Sequence, residues 1–488
     1  LFGLSEFAKA GVSASQNSGL MLKLDSCSEP AVNTYAGSGL RIDAKNDVEN
    51  NKVSANMGII YNGMDLVNLD LYYGDDTVMA AVPELSPKVF TLDFGEGLEE
   101  RLKNSPMLGS ALEQSGVDAS VMAEYMELLA EQARQTQEGQ AASFDLKALM
   151  KRYREGCKAE DDFKAALTVE KGEKASFTID GKEQACRGYE VTVSKEAMIN
   201  FLRTSSDFFL QDEVLKKDFL KRLELSVKLS QLAGAQMEGQ DFPTAQEMQE
   251  QTYEEARTEI DGMIAFLDSS LNDVSMTVYV DKEECLASVK GTTSFNSTGS
   301  EAEPVQLQFG CELKGGAYPT QNMSAQAVLE NGAASVQIEA VKEGAYDGKE
   351  LTSGFELSIE NQGEIAEKWD ITLDSSYNSE GGGFDVQAAA AQDGMELLGF
   401  SAQGVVDELE KGKNIHLTLD SLDVSAMGDT GNAVLSGEYY IRPLTEEVVP
   451  LEGDTMDVLA AGEEEWNSVL MEVLFSFISL SGQMDTGN

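Results

Sequence analysis

The chain has 488 residues, 42% hydrophobic and 25% charged, an ordinary globular composition that excludes a disordered or collagen-like chain. Its 85 acidic against 36 basic residues give a net charge of −49, which repels phosphate backbones and anionic membrane surfaces and so excludes non-specific nucleic-acid binding. A solvated outer surface accounts for such a charge, with a salt-rich habitat or a cationic partner as the alternatives.

Residues 12–94 have a strand-like pattern. Leu20, Leu22 and Leu24 alternate with more polar neighbours, and Val53–Met57 continues the alternation. Asn62-Gly63 and Gly74-Asp75-Asp76 are hairpin turns between such runs, and Val78–Val82 stops at Pro83. From about 96 to 164 the period becomes helical. Ser120 is a candidate N-cap, Val121, Met122, Tyr125, Met126 and Leu129 form one core-facing stripe, and a further helix is expected over Asp145–Glu155. A hairpin returns at 166–193 around Asp180-Gly181. Ser194 then caps a long helical stretch that reaches about Leu267, with a polar break at 234–243.

From 274 to 442 almost every segment alternates. Met276, Val278 and Val280 share a face, as do Val305 to Leu313, Phe355 to Ile359, Trp369 to Leu373 and Ile415 to Leu419. Asn331-Gly332, Asp347-Gly348, Gly381-Gly382-Gly383 and Gly412 punctuate them, the pattern of an antiparallel sheet with one dry and one wet face. Glu463-Glu464-Glu465-Trp466 opens a last amphipathic helix.

The fold class expected is therefore α+β. It is a large curved antiparallel β-sheet, a half-open barrel, with helical insertions covering its concave face. Five segments follow: an N-terminal β-meander (1–95), a helical insertion (96–165), a hairpin plus long helices (166–270), a second meander (271–445) and a C-terminal helix (446–488), packed as one or two domains.

The chemistry-bearing residues are few. His416, the single histidine, alternates with Ile415 and Leu417 and is expected to face solvent from a strand. A single histidine that faces solvent argues against triad hydrolases, multi-histidine zinc enzymes and haem proteins. The cysteines are Cys27, Cys157, Cys186, Cys285 and Cys311. None forms a CxxC, which argues against a zinc or iron–sulfur centre. Cys285 with Cys311, or Cys157 with Cys186, are candidate disulfides in an oxidising compartment, although the odd count speaks against a complete framework. Glu160-Asp161-Asp162 and Asp75-Asp76 read as solvated turns rather than calcium loops. No phosphate loop, GxGxxG after a strand, GxSxG or HExxH is present. The reading is of a non-enzyme without cofactor or metal. A distant carboxylate pair is the one catalytic device that a sequence hides, and with two tryptophans a sugar cleft is thinly furnished. No run of about 18 apolar residues occurs, so no helical membrane span is expected. Leu1-Phe2-Gly3-Leu4 reads as the interior of a longer chain whose leader or anchor was removed upstream.

The run from Asp70 to Leu85 (DLYYGDDTVMAAVPEL), the segment Thr178–Glu196 containing GYEVTVSKEA, and the closing EEEW helix resemble those of uncharacterised secreted or anchored proteins of Gram-positive gut bacteria. The layout is similar to the lipoprotein-carrier superfamily (LolA-like and LppX-like). There a half-open β-barrel wraps around helices and holds lipid. The resemblance implies an extracellular, surface-anchored protein with a lipid or other apolar ligand as partner, and it carries over no functional residue. A structural or protein-interaction domain of the envelope is the alternative.

Overall fold

The computed structural model describes residues 15–95, 97–109, 112, 119–126, 146–234, 243–296, 304–332, 334–363, 366–410, 412–426 and 431–485. The first meander comprises β1 (Gln16–Cys27), β2 (Gly39–Asp47), β3 (Lys52–Tyr61), β4 (Met64–Gly74), β5 (Thr77–Ala81) and β6 (Lys88–Asp93), each antiparallel to the next. The expected turns form where the chain can take positive φ. Asn62 and Gly63 lie at φ 48° and 76°, the pairing that suits the twist of a two-residue hairpin.

The second meander contains β10 (Val274–Val280), β11 (Leu286–Phe295), β12 (Val305–Gly315), β13 (Asn322–Asn331), β14 (Ala334–Tyr346), β15 (Glu350–Gln362), β16 (Ala366–Asn378), β17 (Gly383–Gln392), β18 (Met395–Glu410), β19 (Asn414–Ala426) and β20 (Gly431–Pro443). Each pairs antiparallel with its successor. β20 pairs antiparallel with β1, so the two meanders form one sheet. β9 (Lys182–Val193) extends it beyond β10, with β7 (Thr168–Lys171) and β8 (Ala175–Ile179) on its other side. At the opposite end a short parallel strand, β21 (Asp454–Asp457), adds to β6, a pairing that no local pattern announces. The sheet is large, mostly antiparallel and not closed into a barrel.

The helices are α1 (Pro30–Asn33), α2 (Leu98–Asn104), α3 (Leu146–Gly156), α4 (Ala159–Ala166), α5 (Lys195–Gln211), α6 (Glu213–Gly234), α7 (Ala245–Ser270) and α8 (Glu463–Asp485). Ser194 accepts from the Ala197 N–H and caps α5 as expected. Residues 119–126 are helical as well, and the stripe residue Leu129 lies outside the described residues. The long helical stretch breaks at Asp212 as well as in the expected polar segment, because the Asp212 carboxylate accepts from the Leu215 N–H and starts α6 anew.

Two kinds of packing follow. Helices α3 to α7 join through aromatic contacts: Tyr153 with Phe208 and Phe209, Phe163 with Phe201, Phe219 with Tyr253. The short α1 lies beside β1, and helices α2 and α8 pack at the β6 end of the sheet. There Leu98, Leu102, Ala119, Ala123 and Leu459 form one buried cluster, and Met456, Ala461 and Val469 form another. Trp466 of α8 stacks on Phe90 of β6 at 5.9 Å.

Candidate functional site: the two faces of the sheet

Directly opposed residues in a sheet share a face, so the register assigns every side chain. One row runs Val278–Val289–Cys311–Ala325–Ala340 across β10 to β14 and continues Leu357–Ile371–Ala390–Leu398 across β15 to β18. No polar side chain interrupts it. The neighbouring row carries Phe355, Leu373, Ala388, Phe400 and Val424. The same face continues through Leu435 and Leu24, then Leu22, Leu40 and Ile59.

Such a face is expected to lie under helices. Over most of these strands no described helix covers it: Ile371 is 38% exposed, Phe400 41%, Ile59 51% and Leu398 59%. Local burial occurs at one end of β18 to β20, where Val406, Ile415 and Ile441 pack with Tyr377, Phe384 and Leu417. Helix α8 covers the β6 end, and its outer side leaves Leu470, Leu474, Phe475 and Phe477 exposed.

The other face is polar. Between β9 and β15 it holds shallow open recesses, one of about 400 Å³ lined by Thr277, Lys290, Thr292, Gln308 and Gln326. Around β1 to β5 it carries a linked network. Arg41 donates to Asp65 and Asn68, both at 3.1 Å, and Asn68 donates to Glu84 at 2.7 Å. Burial opposes ionisation of Glu84, but the hydrogen bonds from Asn68 outweigh it and hold its carboxyl below the usual range. The Tyr440 hydroxyl donates to Asp43 at 2.7 Å, and burial together with that bond pushes it up to about 12.

His416 belongs to this polar face, opposite Ile415 and Leu417 as its alternation implies, but it is not solvated. Its side chain is 14% exposed and is held between two carboxylates, Nδ1 2.5 Å from Asp407 and Nε2 2.7 Å from Glu438. A register shift between Val406 and Glu408 brings Asp407 round to the ring. Burial favours the neutral ring, yet the bonds to Glu438 and Asp407 outweigh it and raise the histidine above its ordinary 6.5. A raised native value means stability that is whole below about 6.5 and lost as pH rises through that value. Stability to urea is therefore expected to fall as the pH rises above about 6.5, and His416→Gln is expected to flatten the decline. An unchanged slope in that variant would place the pH dependence elsewhere.

All five cysteines are free. The residue facing Cys311 is Val289, whereas Cys285 lies in the turn before β11, further along the ladder. The sheet therefore does not bring Cys285 and Cys311 together. Cys157 lies beside the Thr204 carbonyl and Cys186 faces Ala175, so that pair is not joined either. Burial pushes the Cys186 and Cys311 thiols up, away from reactivity. Among the described residues no three metal-ligating side chains cluster, and no helix is long and apolar enough to cross a membrane.

Sequence reading located the apolar face but missed the polar network, the histidine clamp and the exposure. Alternation shows which residues share a face, and it carries no information about what lies on it.

No protein-family model matches the chain, and no curated protein matches it. Among solved structures it is similar to the "CymD monoaromatic hydrocarbon channel", at 7% identity over 91% of this chain and 92% of that one, with a TM-score of 0.16. A score that low carries no argument about fold or function.

Proposed function

We propose that this chain is a non-enzymatic protein of the cell envelope, displayed on the surface of a Gram-positive bacterium, that binds a lipid or other apolar ligand on the apolar face of a bent, half-open sheet. The observation that carries the reading is the uninterrupted row from Val278 to Leu398, with Ile371 and Leu398 exposed. Protein interfaces carry about one hydrogen bond per 100–200 Å². This row offers no side-chain donor or acceptor beyond a cysteine thiol, so it suits a partner that asks for none, an acyl chain. The recesses of the opposite face, lined by Lys290, Gln308 and Gln326, are too polar for that role.

Trp369 lies on the apolar face opposite Ile359 and is a native reporter. The other tryptophan, Trp466, is stacked on Phe90 and is removed with Trp466→Phe. In that variant, phosphatidylcholine with brominated acyl chains is expected to quench Trp369 fluorescence, and its unbrominated counterpart to leave it bright. A folded protein whose emission is the same with both lipids would sink the reading.

The exposed apolar side of α8, with Leu470, Leu474, Phe475 and Phe477, favours a second reading, a protein-interaction domain of the envelope. That reading expects no quenching at Trp369.

A further inference from the structure

We infer that the apolar face is a track that holds more than one lipid molecule at once, rather than a single site. This rests on the lipid-binding reading above and concerns how much of the face one ligand can cover. The face spans the eleven strands β10–β20 and the three strands β1–β3. At about 4.8 Å between neighbours, that is roughly 60 Å across. Along a strand the apolar positions run, for example, from Leu307 to Leu313, roughly 20 Å at about 3.3 Å per residue. Half of a bilayer's hydrocarbon core is roughly 15 Å deep. One acyl chain therefore fits within the height of the face, and a diacyl lipid covers only a small part of its width.

Nothing in the register divides the width into compartments. The row from Val278 to Leu398 has no polar side chain between its ends. In the adjoining row Lys342 stands between Met323 and Phe355, and its ammonium turns to the Tyr318 ring, 5.1 Å from the centroid. The large side chains far apart on the face are alike in exposure, Ile59 at 51% and Leu398 at 59%, and the burial around Val406, Ile415 and Ile441 is confined to one end of β18 to β20. A second copy of the chain is a poor occupant, because each copy brings a net charge of −49. With a single lipid bound, most of the face would stay in contact with water, an exposed apolar area well above the few hundred Å² that soluble proteins leave open.

The test is a count. The whole chain, given excess dioleoyl phosphatidylcholine from detergent solution, is measured by native mass spectrometry. Stepwise binding of at least two phospholipids per chain is expected. Ile59→Asp and Leu398→Asp are each expected to lose part of the load and keep the rest, with far-UV circular dichroism confirming that both exposed-site variants fold. One phospholipid at saturation, abolished by either variant, would overturn the track and leave lipid binding standing. No phospholipid at all would overturn the lipid-binding reading itself. In a parallel arm, neutral phosphatidylcholine vesicles are mixed with the protein and separated from it. Phospholipid recovered with the protein supports carried molecules. Protein that stays on the vesicles without extracting any would make the face a bilayer-contact surface and overturn the proposal.

Discussion

Leu98→Ala is expected to destabilise the protein by about 3 kcal/mol, within the 2–5 kcal/mol that buried leucine truncations cost. Leu98 and Leu102 are each 1% exposed and pack against Leu459, with Leu92, Phe94 and Val458 around them. The cluster ties α2 to the segment before α8, far away in the chain, and both to β6. Truncation leaves a void lined by several elements that the parallel β6–β21 pair holds in place, so little collapse can offset it. Urea denaturation is the measurement, with the midpoint lowered at an unchanged slope. Leu98→Ala and Leu459→Ala together should cost less than the sum of the two single changes, since they remove the same contact. A loss below about 1 kcal/mol would show that the cluster does not tie the two segments together.

Asp212→Ala is expected to cost about 2–3 kcal/mol, because one carboxylate does two jobs there. It accepts the Leu215 N–H at 2.7 Å as the cap of α6, and it takes a two-pronged contact from Arg152 of α3, Nε at 2.8 Å and Nη2 at 2.9 Å. The carboxylate is 6% exposed, and the alanine variant removes both the cap of α6 and the two hydrogen bonds that Arg152 gives it. Asp212→Asn keeps an oxygen for the cap and loses the charge, so about half of the loss is expected from it. The Arg152 contact, against the opposing effect of burial, holds the Asp212 carboxyl below its ordinary 3.8. A depressed native value contributes stability above about 3.8 that is lost as pH falls through it, so the gap between wild type and Asp212→Ala should narrow in acid. Denaturation followed by far-UV circular dichroism, with hydrogen exchange over 195–234, reads both effects. Asp212→Asn as stable as wild type would show that the charge contributes nothing, and Asp212→Asn no more stable than Asp212→Ala that the cap contributes nothing.

Both sites show why part of the molecule is legible in its sequence and part is not. The hairpins around Asn62-Gly63 and Asp180-Gly181 are visible because two residues decide the turn. The capping of α5 by Ser194 is visible because the acceptor lies three residues from its donor. The alternation through β10 to β20 is visible because its period is two and its runs are long. The parallel pairing of β21 with β6 is not visible, since it joins Asp454 to Lys88 through the folding of everything between them. The same holds for His416. Its isolation between Ile415 and Leu417 marks its face, while Asp407 and Glu438 arrive from two other strands, one of them through a bulge.

The sequence by itself therefore determined the segments, their turns, the charge of −49 and which side chains share a face, because these depend on neighbours a few residues apart. Only the tertiary structure decided what lies against each face. Helices α3 to α7 pack against one another, α8 takes the β6 end, and the apolar rows from β10 to β18 keep much of their surface exposed. The physical reason is that an amphipathic helix and an amphipathic strand each call for an apolar partner without specifying which one. Among the described residues, helices α3 to α7 meet that need largely among themselves, and much of the apolar face of the sheet stays exposed.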